Sequence, residues 1–112
     1  MQVKSVFKNT GVSPRKVRLV VDMVRGRKVN EALDILKFTP TPSARLVSKA
    51  VKSAVANAEN NYQLLAADLK IVHITADAAP SLKRHRARSR GRVSPILKRS
   101  SNITVIVDEM EA

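Results

Sequence analysis

Residues 69–108 read LKIVHITADAAPSLKRHRARSRGRVSPILKRSSNITVIVD, and the fold turns on this stretch. Its two ends, 69–76 (LKIVHITA) and 102–108 (NITVIVD), are short, rich in β-branched residues and free of Gly and Pro, which predicts two strands. Between them, residues 80–99 (PSLKRHRARSRGRVSPILKR) carry eight Lys/Arg and no acid. From Arg84 onward the bases recur at 84, 86, 88, 90 and 92. In an extended chain a period of two puts such residues on one face, whereas a helix would scatter them. Gly91 and Pro95 also oppose a helix. The simplest connection is therefore a long β-hairpin projecting from a sheet. An arm of ten residues at about 3.3 Å each reaches roughly 30 Å, too far to be buried in so small a protein. It needs a partner, and its charge nominates phosphate, which the guanidinium fork fits well. The arm has no aromatic residue, so recognition by backbone and shape of a folded RNA is expected rather than base stacking.

The rest of the chain supplies the body. Residues 2–8 (QVKSVFK) predict a short strand with Val3, Ser5 and Phe7 on one face and Lys4, Val6 and Lys8 on the other. Ser13-Pro14 is a helix start, with a side-chain cap followed by proline at the first helical position. Val17, Val20, Val21 and Val24 then form an apolar stripe, Arg15, Arg18, Asp22 and Arg25 occupy another face, and Gly26 is placed to end the helix. A second helix is expected from a cap at Asn30 to about Phe38, with Glu31 and Asp34 near its positive end and Leu33 and Leu36 buried. Thr41-Pro42 starts a third helix, in which Val47, Ala50, Val51, Ala54, Val55 and Ala58 keep one register while Arg45, Lys49 and Lys52 point elsewhere. Asn60-Asn61 marks its end. Three helices and separate strands make an α+β domain.

Composition agrees. The chain has 112 residues, 44% apolar but only 3% aromatic, so one core built mainly of Val, Leu, Ile and Ala is expected. Cysteine is absent, which fits a reducing compartment and excludes disulfides. No long apolar run follows the first residues and none approaches the roughly 20 residues of a membrane span, so a soluble, cytoplasmic protein is expected. The formal charge is +12, unevenly spread: residues 1–28 carry +7, 29–80 carry 0, 81–100 carry +8 and 101–112 carry −3. The middle reads as a neutral scaffold, and two segments hold the positive field. The second of these, besides the arm, is Arg15, Lys16, Arg18, Arg25, Arg27 and Lys28, read as a further RNA contact.

Catalytic chemistry is missing. His73, alternating with Leu69, Ile71 and Thr75, reads as a half-buried structural residue, and His85 among arginines as an RNA contact. No cysteine or paired acid completes a metal set, and there is no Gly-rich phosphate loop. No enzyme, metal or cofactor is expected.

Segments 13–28 (SPRKVRLVVDMVRGRK), 29–36 (VNEALDIL), 54–59 (AVANAE) and 80–105 (PSLKRHRARSRGRVSPILKRSSNITV) resemble, in order, successive segments of the large-subunit ribosomal protein twenty-two family. That resemblance implies a small three-stranded antiparallel sheet packed on three helices. It also implies a long protruding hairpin, at about 78–102, that runs through ribosomal RNA. By the same correspondence Lys83, Arg84, His85, Arg86, Arg88, Arg90, Arg92, Lys98 and Arg99 contact rRNA. Leu82, Lys83, Arg84, Arg88, Arg90 and Arg92 lie by the polypeptide exit tunnel, where changes are associated with macrolide resistance. The implied partners are large-subunit rRNA, neighbouring ribosomal proteins including protein four at the tunnel, and the nascent chain, with no membrane partner and no homo-oligomer. Ala79, Ala87 and Asn102 depart from the Gly, Pro and His common in the family at those places.

Two other readings compete. The first takes residues 14–38 as a DNA-binding helix-turn-helix, but Glu31 and Asp34 at the start of its recognition helix would repel phosphate. A membrane-active basic segment would need an amphipathic helix, which residues 81–100 do not form.

Overall fold

A computed structural model describes the backbone of residues 2–87 and 93–109, and the side chains of 2–80 and 99–109. The elements run β1 (Gln2–Phe7), α1 (Pro14–Val24), α2 (Val29–Lys37), α3 (Pro42–Tyr62), a single 3-10 turn (Ala66–Asp68), β2 (Leu69–Ala87) and β3 (Val93–Glu109). The sheet is antiparallel with order β1-β3-β2, and the helices cover one of its faces. This is the expected α+β arrangement of a three-stranded sheet on three helices.

Alternation on the strands meets helical periodicity across a single core. Three cross-strand rows face the helices: Val3–Val107–Ile71, Ser5–Val105–Ile74 and Phe7–Ile103–Ala76. Against them pack Val17, Val20, Val21 and Val24 of α1, Val29, Ala32 and Leu36 of α2, and the Ala44, Val47, Ala50, Val51, Ala54 and Ala58 stripe of α3. Alanine on α3 lets that helix lie close to the sheet. Ser5 is the polar member of the rows, and its hydroxyl donates to Ser53 Oγ of α3 at 3.0 Å. The aromatic residues contribute little to this core: Phe38 is 80% exposed, Tyr62 is exposed, and Phe7 is half-buried and packs against the core from its margin.

The helix ends differ from expectation in detail. Ser13 caps α1 through its backbone carbonyl, which accepts from Lys16 and Val17 N–H at 3.2 and 3.3 Å, and its side chain makes no cap bond. Gly26 takes φ +78° just past α1, the left-handed conformation its lack of a Cβ permits. Asn30 is not a cap: α2 begins at Val29, two residues earlier than a cap at Asn30 implies, with Lys28 as cap residue. Burial of Val29 decides this start, because the turn that seats it in the core already includes Asn30. Thr41 caps α3 as expected, accepting from Ala44 N–H at 3.3 Å. That helix runs past Asn60-Asn61 to Tyr62 and closes on Gln63 at φ 56°.

The larger departure lies in β2. His73 is exposed, not half-buried. The register slips between Ile71 and His73, so Val72 is an extra residue in the strand. Leu69 and Ile71 are buried before the bulge, Ile74 and Ala76 after it. One inserted residue reverses the alternation, and His73 moves to the open face.

Candidate nucleic-acid interface

Both hairpin strands extend well beyond the segments expected for them. Pairing continues from the core row Ile71↔Val107 through Ala79↔Ser100, and from Leu82↔Lys98 to Ala87↔Val93. The arm is thus a continuation of the core sheet. Between Ala79 and Leu82 the register slips again, setting Pro80 and Ser81 opposite Arg99. Proline has no ladder donor to give, and a bulge is one of the few places in a sheet that tolerates it. Bulges bend a strand and add local twist. Pro95 pairs in register with His85 in the two-stranded part, where each strand has a free edge. The molecule is elongated as a result, measuring 68 × 27 × 17 Å with a radius of gyration of 17.1 Å. A compact chain of this length would have about 13 Å.

The root of the arm is clasped by the loop between β1 and α1. Thr10 N–H donates to Ser101 O at 3.0 Å, and the hydroxyls of Thr10 and Ser101 lie 2.7 Å apart. Gly11 N–H donates to Ser100 Oγ, and Asn9 N–H to Asn102 Oδ1, each at 3.0 Å. Asn9 and Gly11 both adopt positive φ, which turns these donors toward β3.

The predicted arm residues are placed as follows. Lys83, Arg84, His85 and Arg86 pair through their backbones with Leu97, Ile96, Pro95 and Ser94, and Lys98 with Leu82. Arg99 is exposed at the second bulge. Arg88, Arg90 and Arg92 lie outside the described residues, as do the side chains of 81–98. The expectation that the five alternating arginines share a face therefore falls outside them too.

On the body, the six predicted bases divide into two kinds. Arg15 and Lys16 project from the first turn of α1 and, among the described residues, carry no ion pair. Arg18 and Arg25 reach instead to the outer edge of β2, which has no strand neighbour. Arg18 Nε donates to Ala76 O at 2.9 Å, and Arg25 Nη2 to Ile74 O at 3.1 Å. The same edge is covered further along by Ile71 N–H donating to Arg27 O at 2.9 Å and by a bridge between Lys28 and Lys70. An open strand edge invites pairing with other chains, and covering it removes that hazard. No local pattern in α1 announces this role; it depends on where β2 runs.

The lower end of the patch is electrostatically balanced. Arg25 pairs with Asp22 at 2.6 Å and Arg27 with Glu31 at 2.7 Å. These residues, with Lys28 and Lys70, line a hollow of about 810 Å³ together with Asp108 and Glu109. Four bases face four acids there. The excess positive charge of the patch lies at its upper end, with Arg15, Lys16 and Arg18. Among the described residues no His, Cys, Asp and Glu side chains gather as a metal site, and no helix is long and apolar enough to cross a membrane.

Residues 5–108 match the family model described as ribosomal protein L22p/L17e. The chain belongs to this family. Two relatives show how uniform the likeness is. A large ribosomal subunit protein uL22 of Dehalococcoides mccartyi strain 195 is 63% identical over 107 residues, covering 96% of this chain and 98% of the relative. That of Herpetosiphon aurantiacus is 52% identical over 111 residues, covering 99% and 98%. No large insertion or missing segment separates the chain from these relatives, so the basic arm and the body lie within the matched region. The L22p/L17e family is structural and non-enzymatic, in line with the absence of catalytic motifs from the sequence, and its bacterial members reside in the cytoplasmic ribosome.

Proposed function

We propose that this protein is an rRNA-binding structural constituent of the large ribosomal subunit, that it holds several rRNA segments together during assembly, and that its hairpin lines the polypeptide exit tunnel. One domain spans the chain, with the basic arm at about 78–102. The observation that carries this reading is that one pair of strands builds both core and arm: β2 and β3 pair from Leu69↔Glu109, through the buried Ile71↔Val107 row and across two bulges, to Ala87↔Val93. The most basic segment of the chain is thereby mounted on strands that supply its core.

In this reading Lys83, Arg84, His85, Arg86, Arg88, Arg90, Arg92, Lys98 and Arg99 meet one set of phosphates. Arg15, Lys16 and Arg18 meet another, flanked by Arg25, Arg27 and Lys28. Arg18 spends one of its five guanidinium donors on Ala76 and keeps the rest for phosphate. Because both surfaces are fixed to one body, binding sets the relative position of the two RNA segments. Leu82, Lys83 and Arg84, with Arg88, Arg90 and Arg92, are assigned to the tunnel wall beside protein four and the nascent chain, where macrolides bind nearby.

Ultraviolet cross-linking in the protein's own cells, with linked peptides and RNA both sequenced, tests the proposal. Peptides from 80–99 are expected on one segment of large-subunit rRNA and peptides from 14–28 on another. Cross-links scattered over unrelated RNAs or DNA would overturn it.

A further inference from the structure

Residues 29–80 are neutral in sum, yet the fold separates their charges. On α3, Arg45, Lys49 and Lys52 stand at i, i+4 and i+7, which places them on an arc of about 60°. All three are exposed and lie away from the buried alanine and valine stripe. The end of α2 and the short connection through Pro40 approach this face and leave a groove of about 1000 Å³. Its walls include Lys37, Arg45, Ser48, Lys49 and Lys52, and a single acid, Asp34. Glu59 lies about 20° beyond this arc and about 10 Å further along the axis. The other acids of the segment, Glu31, Asp68 and Asp77, line other surfaces. Among the described residues none of the four bases of the groove is in an ion pair.

Two of the bases are already positioned. Lys49 Nζ sits 5.4 Å from the centroid of the Phe7 ring, and Lys37 Nζ 5.9 Å from that of Phe38. Such contacts hold an ammonium against an apolar face without neutralising it, so its charge remains available to an anion. The groove therefore presents a net positive wall, open along its length, with a serine hydroxyl among the bases. Leu33, Leu36, Pro40, Pro42 and Ala44 also line it, but four bases against one acid set the class of occupant: an anion.

We infer that this groove is a third RNA contact, in which Lys37, Arg45, Lys49 and Lys52 bind the phosphate backbone of an rRNA segment separate from those met by the arm and by α1. The inference rests on the rRNA-binding reading proposed above and extends it to a part of the chain whose average charge conceals it. Side chains three and four apart on a helix stand about 5–6 Å from one another, which suits successive phosphates of one strand.

Three full-length variants test it, with binding to complete large-subunit rRNA measured over a range of salt. R45Q/K49Q/K52Q removes the groove charge, K49R/K52R retains it, and K83Q/R84Q/R86Q weakens the arm. Each phosphate contact contributes about 0.7–0.9 to the slope of log K against log salt. The groove variant is expected to lose about 2–3 from that slope and to bind roughly 10–100-fold more weakly near physiological salt, with its thermal midpoint unchanged. The arginine variant keeps the slope. A groove variant that binds as wild type while the arm variant is weakened overturns the groove and leaves the proposed function standing. Wild-type binding by all three overturns both. Wild-type RNA binding by the groove variant with poor incorporation into subunits assigns the groove to a neighbouring protein and also overturns the inference. If the triple variant does not fold, cross-linking of the unaltered protein in its particle decides: peptides from 45–52 on rRNA support the groove, and their absence beside linked arm peptides overturns it.

Discussion

The hydroxyls of Thr10 and Ser101 lie 2.7 Å apart, joining residues 91 positions distant in sequence at the point where the arm leaves the body. Ser101 is fully buried, whereas Thr10 is half-buried and its hydroxyl also bonds Val12, so truncation at 101 loses the bond without orphaning a buried group. Removing one side of such a pair costs about 0.5–1.5 kcal/mol. Ser101→Ala is expected to lower the thermal midpoint by roughly 2–9 °C in a domain of this size, followed by circular dichroism. An unchanged midpoint would mean that the backbone bond from Thr10 and the Gly11–Ser100 and Asn9–Asn102 contacts suffice to hold the root of the arm.

The two kinds of base on α1 predict two kinds of mutant. Arg15→Gln with Lys16→Gln touches exposed side chains and is expected to leave stability within about 0.5 kcal/mol. It should also reduce the salt slope of rRNA binding by about 1.4–1.8. Arg18→Ala and Arg25→Ala strip hydrogen bonds from the edge of β2 and are expected to cost about 1 kcal/mol each. They should also raise the tendency to aggregate, because the uncovered edge can pair with another chain. Urea titration and light scattering read the two effects. Equal behaviour of both sets would refute the division.

The bulge at Val72 predicts a contrast between neighbours. Ile74 is fully buried in the row with Ser5 and Val105, and Ile74→Ala is expected to cost about 2–5 kcal/mol. His73→Ala, one residue away but exposed, is expected to cost less than about 0.5 kcal/mol. Were β2 regular, His73 would share the inner face with Ile71 and the order would reverse. Denaturant unfolding of the two variants therefore checks the bulge directly.

How much of this was legible follows from which interactions are local. The α1 stripe, the Thr41-Pro42 cap, the α3 register and the faces of β1 depend on spacing within one element, and each was read correctly. The arm was legible because a period of two, a Gly and a Pro all argued against a helix. The length of its strands was not. Pairing to Ala87 and Val93 comes from the partner strand, and residues 77–79 and 100–101 have weak strand propensity of their own. The two bulges were invisible for the same reason, since an extra residue shows only when a strand is laid against its neighbour. Asn30 looked like a cap because of its residue type, while core burial of Val29 set the helix start. In the candidate interface, the bases could be named but not sorted. Only the course of β2 shows that Arg18 and Arg25 serve its edge while Arg15 and Lys16 remain available.

The proposed role of the arm makes a final prediction that separates contact by the arm from attraction by the whole chain. At +12 the protein will bind any polyanion to some extent, so weakened binding in a variant is not enough. Trypsin cuts after Lys and Arg, and the arm offers Lys83, Arg84 and Arg86 on one strand and Lys98 and Arg99 on the other. In complexes with large-subunit rRNA these sites are expected to be cut at least ten-fold more slowly than in the free protein. Cleavage after Lys70, on the body near its cluster of acids, is expected to change little. A generic polyanion such as heparin would slow cleavage at exposed bases all over the surface. Mass spectrometry of timed digests distinguishes the two patterns, because only docking of the arm into folded RNA protects 83–99 selectively. Uniform protection with rRNA would reduce the arm to one basic surface among several and would remove the physical reason for placing it in the tunnel.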